Sequence, residues 1–451
     1  MAAEPTIIHA PNTTMNKVMF EDSAAHDWYR FVLSYPPHLV RHYLEKFGLV
    51  PGATVLDPFC GAGTTIVEAK KQRIGSIGVE SHPMTCFASA VKVDWSPDPG
   101  ALLQHAESIA EIALERLEAD GVFDSVQRAM FEEDLGNFGV AQLRSLPADM
   151  QKLLLKDSLS PRPMHKALVL ANILKEHEHS ELSGHERLAF AKTLVFSSSN
   201  LNFGPEVGIG KPKLDAEVVR PWLNNVRVMA ADLEALQSDW MGETSALAIR
   251  ADSRALIEWI PAASVDAVIC SPPYPNEKDY TRTTRLESVM LDFIRTKEEL
   301  RAVKKGLVRS NTRTVYKEDQ DDRFIAGIPE IQRIADEIES RRLELGKNSG
   351  FERLYPRVTK LYFGGMARHF ADLRHCLKPG AQLAYVVGDQ ASYLRVMIRT
   401  GELLAQIAER LGYEVTGLDL FRTRLSTATR EQLREEVVVL RWPGNGEPGR
   451  I

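Results

Sequence analysis

The 451-residue sequence is poor in cysteine: it has four, Cys60, Cys86, Cys270 and Cys376, none in a C-x-x-C pair and none with histidine at zinc-ligand spacing. That excludes a disulfide scaffold and a metal knuckle, and predicts reduced thiols. No apolar run approaches the roughly 18 residues that cross a bilayer. The opening residues, MAAEPTIIHAPNTTM, lack the basic start and apolar stretch of an export signal, so a cytoplasmic protein that avoids membranes is the expectation. Excess positive charge is missing too. A net charge of −6 excludes a protein that coats nucleic acid non-specifically, because such binding needs many Lys and Arg facing phosphates. Internal repeats and low-complexity tracts are absent.

What is present is a globular composition, 44% apolar and 26% charged, in a chain too long for one ordinary core. T-V-L-D (54–57), a glycine loop, a helix from Thr65 to Lys71 and G-S-I-G-V-E (75–80) make a strand-helix-strand unit, which implies parallel strands and a right-handed crossover. From about 96 to 245 the period turns helical, with apolar residues every three or four positions over 101–117, 166–174 and 187–196. Strands resume at 246–252 and 266–270. A helix near 284–295 and a charged excursion over 297–355 follow, then a helix over 366–377 that Lys378-Pro379-Gly380 should stop. Strands at 382–389, 413–420 and 436–442 surround a helix at 398–411. Seven strands alternate with helices until the last two, which have none between them. The expected fold is a doubly wound α/β sheet, mostly parallel, closed by a C-terminal hairpin and interrupted by a helical insertion. The domains are therefore expected at 1–95, 96–245 and 246–451.

Residues 55–65, V-L-D-P-F-C-G-A-G-T-T, place Asp57 at a strand end and Gly61 and Gly63 in the turn before a helix, where glycine lets the backbone approach a ligand and adopt positive φ. The dinucleotide fingerprint is incomplete, since Ile66 stands where a third glycine belongs, and the phosphate-cradling G-K-[ST] loop is absent. Glu80 closes the second strand, placed to take both hydroxyls of a ribose, and Asp252 closes the third, placed to accept from an adenine amino group. Any one of these acids alone is explained as a helix cap. Three on one sheet edge describe a nucleoside pocket without a diphosphate, which suits S-adenosylmethionine.

The strand D-A-V-I-C (266–270) runs into S-P-P-Y (271–274). An exocyclic amine on a base is a poor nucleophile because its lone pair is delocalised into the ring. A catalyst must hold its hydrogens and favour a pyramidal nitrogen. Ser271 Oγ and the Pro272 carbonyl are suitable acceptors, Pro272 and Pro273 stiffen the corner and remove competing donors, and Tyr274 offers a face for an extruded base.

D-P-F-C-G-A-G-T-T together with S-P-P-Y resembles the amino-group DNA methyltransferases, of the N4-cytosine and N6-adenine type. The resemblance covers roughly 28–95 and 246–442. It implies a class I methyltransferase fold, S-adenosylmethionine as cofactor, and double-stranded DNA with one base flipped as partner. The serine form of the tetrapeptide is similar to the N4-cytosine branch. By the same resemblance Tyr35 and Pro36 help hold the methionine end, Asp57, Pro58, Phe59, Gly61, Gly63 and Thr64 line the cofactor, and Glu80 binds its ribose. Many N4-cytosine enzymes place the tetrapeptide before the glycine loop. Here it follows, which makes 96–245 the candidate target-reading domain. Cys270 reads as a small buried residue, since carbon-5 methylation needs a Pro-Cys pair that the chain lacks. Adenine-N6 transfer, an RNA base as acceptor, and a catalytically silent nucleic-acid-binding partner on the same scaffold remain open alternatives, as does a companion nuclease.

Three stretches have both a bland and a specific reading. S-S-S-N-L-N-F-G-P-E-V-G-I-G-K-P-K (197–213), ending with Lys211 and Lys213, is either a linker or a loop that clamps DNA. Arg282 and Arg285, just after the tetrapeptide, bind phosphates or pair with Asp279 and Glu287. From Arg301 to Lys317 there are six basic residues and no acid, among them Lys304, Lys305, Arg309 and Arg313, which either contact phosphates or form a solvated loop balanced by Glu318 to Asp322. H-E-H (177–179) with His185 sits at a hydrophilic helix end, so no metal site is expected.

Overall fold

The computed structural model describes residues 19–30, 34–125, 143–203, 206–239, 244–276, 278–425 and 432–444. Strands are β1 (Thr54–Asp57), β2 (Gly75–Val79), β3 (Leu201–Phe203), β4 (Val207–Ile209), β5 (Ala246–Ile249), β6 (Val265–Cys270), β7 (Leu377–Gly388), β8 (Glu414–Leu425) and β9 (Gln432–Arg441). Seven of them form one sheet in the order β5-β2-β1-β6-β7-β9-β8, while β3 and β4 pair only with each other. β5, β2, β1, β6 and β7 run parallel, and β9 is antiparallel to both β7 and β8. This is the expected class I methyltransferase architecture. The chain leaves β1 towards β2 and later returns to β1's other side at β6. Loops after β1 and β6 therefore leave the same sheet edge at its switch point, where α/β folds bind ligands.

The strands are apolar on both faces because both are covered. In β6, Ala267 and Ile269 face helix α1 (Pro37–Lys46), whereas Val268 and Cys270 join the cluster containing Tyr362, Phe363, Met366 and Phe370. The same alternation divides Ala384 and Val386 from Leu383, Tyr385 and Val387 in β7. Helix α2 (Thr64–Lys71) follows β1, and α3 (Pro83–Val93) follows β2. The helical block contributes α4 (Pro99–Ala119), α5 (Pro161–Glu176), α6 (Ser183–Thr193) and α7 (Val219–Asp239). Its Leu102, Ile109, Leu170 and Trp222 lie in one apolar cluster with Ile66 and Val67 of α2 and Met84 and Ala88 of α3. The block thus shares the core of that sheet face. None of the described helices is long and apolar enough to cross a membrane.

Two expectations are corrected. The helix before β7 ends at Leu373, so Lys378-Pro379-Gly380 lies within the first residues of β7 and stops no helix. The strand starts there through a register shift opposite β6 between Val265 and Ala267, and a strand start tolerates a proline that cannot donate. The charged excursion is also folded: it carries α8 (Lys297–Gly306) and α9 (Pro329–Glu344), followed by α10 (Tyr355–Leu373). Ile325, Ile328, Ile331, Ile334 and Ile338 form an apolar stripe against α10, hidden in the sequence among charges. α11 (Thr400–Arg410) completes the layer between β7 and β8.

Candidate active site

β1 delivers Asp57 to the centre of the sheet edge, fully buried. Its Oδ1 accepts the Phe59 N–H (3.0 Å) and its Oδ2 accepts the Tyr35 hydroxyl (3.1 Å). Tyr35 also contacts Thr65 Oγ1, whose proton goes to the Ile269 carbonyl of β6 (3.1 Å). One chain of bonds thereby joins the segment before α1, the glycine loop and β6. Burial pushes the Asp57 carboxyl up to about 6, against the hydrogen bonds from Phe59 and Tyr35. The loop then turns through Gly61 (φ 52°) and Gly63 (φ 88°). A Cβ on Gly63 would also sit 3.2 Å from the Cα and Oγ of Ser89, so only glycine fits there without strain.

Glu80, just past β2, reaches back to this turn. Its Oε2 accepts the Gly61 N–H (2.9 Å) and its Oε1 the His82 N–H (2.7 Å). Burial raises this carboxyl to about 7, opposed by those backbone bonds. Each oxygen retains a lone pair, so the group can still accept two hydroxyls.

β6 ends at Cys270 and hands over to Ser271. Ser271 Oγ donates to the Val386 carbonyl of β7 (3.1 Å). A carbonyl only accepts, so the serine proton is fixed there and the hydroxyl presents lone pairs to other donors. The Tyr274 ring lies against Gly388, where a Cβ would stand 3.3 Å from it. Burial, with Glu435 nearby, raises the Tyr274 hydroxyl well above the phenol range, so it is neutral at any physiological pH.

One cavity of about 790 Å³ joins these two loops. Tyr35, Pro36, Pro58, Phe59, Gly61, Thr64 and Glu80 line it on the glycine-loop side, and Ser271, Pro272, Pro273 and Tyr274 line it on the other. The volume lies within the range of small-molecule sites, roughly 300–1,000 Å³. Asp57 and Gly63 stand behind the wall and shape it. Asp252 is a correction: its carboxylate is held by Arg254 (Nε to Oδ1 2.9 Å, Nη2 to Oδ2 2.7 Å), and its neighbour Ser253 lines the cavity instead.

None of the eight basic residues singled out in the sequence lines the cavity. Arg285 is half-buried and donates to the carbonyls of Thr281 (2.9 Å) and Leu153 (3.2 Å), tying the segment after Tyr274 to the helical block. Lys304 pairs with Asp279 (3.0 Å), and Arg309 is 4% exposed with both guanidinium edges occupied. A phosphate contact is not available to these three without breaking internal hydrogen bonds or ion pairs. Lys213 donates to the Ser197 carbonyl (2.7 Å) and closes the base of the β3–β4 hairpin, next to exposed Lys211. Lys305 lies over the Tyr316 ring and Arg313 over Phe351, while Arg282 buries an Nε without a partner. The cations that do line the cavity are Lys278, Arg422 and Arg424, with Glu435 bonded to Arg422 (2.5 Å) and near Arg424 (3.4 Å). Lys278 is legible in hindsight as four residues after Tyr274. Arg422 and Arg424 are brought in by the β8–β9 pairing, which no local pattern announces.

Comparison with known proteins agrees with this geometry. A family described as "DNA methylase", of the N6/N4 class, matches residues 13–90, the segment that carries Tyr35, the glycine loop and Glu80. Over 450 aligned residues the chain is 26% identical to the Type II methyltransferase M.BsoBI of Geobacillus stearothermophilus, covering 93% of this chain and 85% of that protein. The family match and this near-full-length similarity support an N6/N4 amino-group DNA methyltransferase family for the chain. The chain is also 29% identical over 195 residues to the Type II methyltransferase M.AvaI of Nostoc sp., covering 40% of this chain and 38% of that one. A segment of 57 residues is 39% identical to the Type II methyltransferase M.MjaII of Methanocaldococcus jannaschii.

Proposed function

We propose that the protein transfers the methyl group of S-adenosylmethionine to the N4 amine of a cytosine flipped out of duplex DNA, as the modification half of a restriction-modification pair. The observation that carries this reading is the single cavity connecting Glu80 and the glycine loop to Ser271 and Tyr274. The residues present fit the cofactor. Glu80 offers two acceptor positions for a diol, the positive-φ glycines let the backbone approach closely, and Tyr35 and Pro36 flank the route to β6.

Bound there, S-adenosylmethionine supplies a methyl carbon activated by its sulfonium. The protein's own work is to position the acceptor. Ser271 Oγ, its proton engaged by Val386, accepts one amine hydrogen, and the Pro272 carbonyl accepts the other, which favours a pyramidal nitrogen whose lone pair is less delocalised into the ring. Tyr274 stacks on the base. The rest of the rate comes from alignment within a cavity that excludes most water. Cytosine is favoured over adenine by the serine form of the tetrapeptide and by Lys278, a cation that suits the N3 and carbonyl O2 acceptors of cytosine. The helical block, with its β3–β4 hairpin and Glu206 reaching the cavity, is the proposed target-reading region.

The test is nucleoside analysis of duplex DNA after incubation with the chain and labelled cofactor, beside the Ser271→Ala variant. N4-methyldeoxycytidine from the parent alone is the expected result. N6-methyldeoxyadenosine moves the assignment to the other branch of the family, label in RNA only replaces the acceptor class, and undiminished marks from Ser271→Ala remove the catalytic role of that serine.

A further inference from the structure

The basic run from Arg301 to Lys317 crosses the site in an unexpected role. Gly306, Leu307 and Val308 line the cavity beside Ser81 and Ser253. Gly306 approaches Ser81 so closely that a Cβ on it would stand 2.3 Å from the Ser81 hydroxyl, which fixes this strap next to Glu80. Two buried arginines hold it. Arg254, 6% exposed, grips Asp252 along one edge, bonds Asp321 Oδ2 through Nη1 (2.6 Å) and donates from Nη2 to the Lys305 carbonyl (3.1 Å). Arg309 pairs with Asp319 through Nε (2.9 Å) and Nη2 (2.8 Å), and Nη1 donates to the carbonyls of Lys304 (3.0 Å), Lys305 (3.2 Å) and Leu307. Further along, the Ser310 carbonyl accepts the Tyr393 hydroxyl (2.9 Å). The carbonyls of Lys304, Lys305 and Leu307 are thus taken by the arginines, and Leu307 and Val308 line the cavity.

We propose that Gly306–Val308 is the wall against which the adenine ring of the methyl donor packs, and that Arg254 and Arg309 are positioning residues that set the distance between this wall and Glu80. The inference rests on the cofactor reading above and deepens it. The acid at the end of β5, in place to meet an adenine amino group, is neutralised by Arg254 and becomes an anchor for the strap. Purine recognition therefore falls to an apolar surface and to Glu80 on the ribose. Losing either arginine would leave carboxylates unpaired in a buried site, so the strap would move away from the nucleoside.

The test measures binding of S-adenosylhomocysteine, 5′-methylthioadenosine and methionine to the full chain, with steady-state kinetics on duplex DNA. Leu307→Ala removes cavity-lining apolar surface without touching an ion pair, so it should fold. It is expected to weaken both nucleoside ligands by about 5- to 30-fold. The KM for the methyl donor should rise by the same factor, with kcat and the KM for DNA within about twofold of the parent. Arg254→Gln should shift the same two ligands in the same direction. A merely structural role would instead lower stability and activity without separating nucleoside ligands from DNA. A parent chain that binds S-adenosylhomocysteine while Leu307→Ala binds it equally well overturns the strap assignment alone. A parent chain that binds neither nucleoside ligand overturns the functional reading and the strap with it.

Discussion

Lowering the pH should weaken cofactor binding through one carboxyl group, Glu80. In the free protein burial raises this group to about 7. A ribose donating two hydroxyl protons favours the ionised form, so binding pulls the group's pKa down and releases a proton. The sign follows: affinity is full above pH 7 and falls as pH drops through 7. If only ionised Glu80 binds, the apparent dissociation constant scales as one plus ten to the power of (7 − pH). That factor is about 1.1 at pH 8 and about 11 at pH 6, a loss of roughly tenfold. At pH 7 about half a proton should be released per ligand bound. Glu80→Gln should flatten this dependence. It should also weaken binding at pH 8 by about 10- to 100-fold, the worth of hydrogen bonds to a charged acceptor. Titration calorimetry with S-adenosylhomocysteine, at pH 6, 7 and 8 and in buffers of different ionisation enthalpy, reads both affinity and proton count. Asp57, raised to about 6, adds a second dependence only at the acid end, and the Glu80→Gln comparison separates the two. Equal affinity at pH 6 and pH 8, or a Glu80→Gln variant with the parent's slope, refutes the assignment of Glu80 to the ribose.

Other outcomes are equally specific. Ser271→Ala should lower kcat by about 10²–10³-fold, the usual cost of one preorganised polar partner, while S-adenosylhomocysteine binds as in the parent; a loss confined to cofactor affinity would contradict the role given to this hydroxyl. Cys270→Ala should retain most activity, since the thiol is buried and raised by that burial away from a nucleophilic thiolate, and abolished turnover would reopen covalent catalysis. Gly63→Ala should cost about 1–2 kcal/mol in denaturant unfolding, because φ of 88° and the contact with Ser89 both oppose a side chain. Removing the charge of Arg424 should reduce the salt slope of DNA binding by about one, whereas Arg285→Met should lower stability and leave the slope unchanged.

Reading the chain in one dimension went furthest where the signal is local. The seven sheet strands were placed within a few residues because alternation and apolar runs depend on neighbours in sequence, and both faces of this sheet are covered. The S-P-P-Y corner and the glycine loop are likewise short and stiff. The helix stop at Lys378-Pro379-Gly380 misled because proline and glycine punctuate strand starts as well as helix ends. Charge misled more. Lys304, Arg309 and Arg285 read equally as phosphate contacts or as balanced charges, and their actual partners, Asp279, Asp319 and the Thr281 and Leu153 carbonyls, are chosen only by folding. The five isoleucines from Ile325 to Ile338 were masked by the charged residues between them, although all five enter one apolar cluster.

The sequence by itself determined the two loops, the strand periodicity and the glycines that permit positive φ, since each is settled by backbone sterics and by residues a few positions apart. Tertiary structure alone decided that Arg254 joins the end of β5 to Asp321, that Leu307 and Val308 line the cavity, and that Arg422, Arg424 and Glu435 enter it from the closing hairpin. Those contacts join segments far apart along the chain. Whether a charged group is a ligand or an anchor depends on which opposite charge folding brings within reach, and that has no signature in local order.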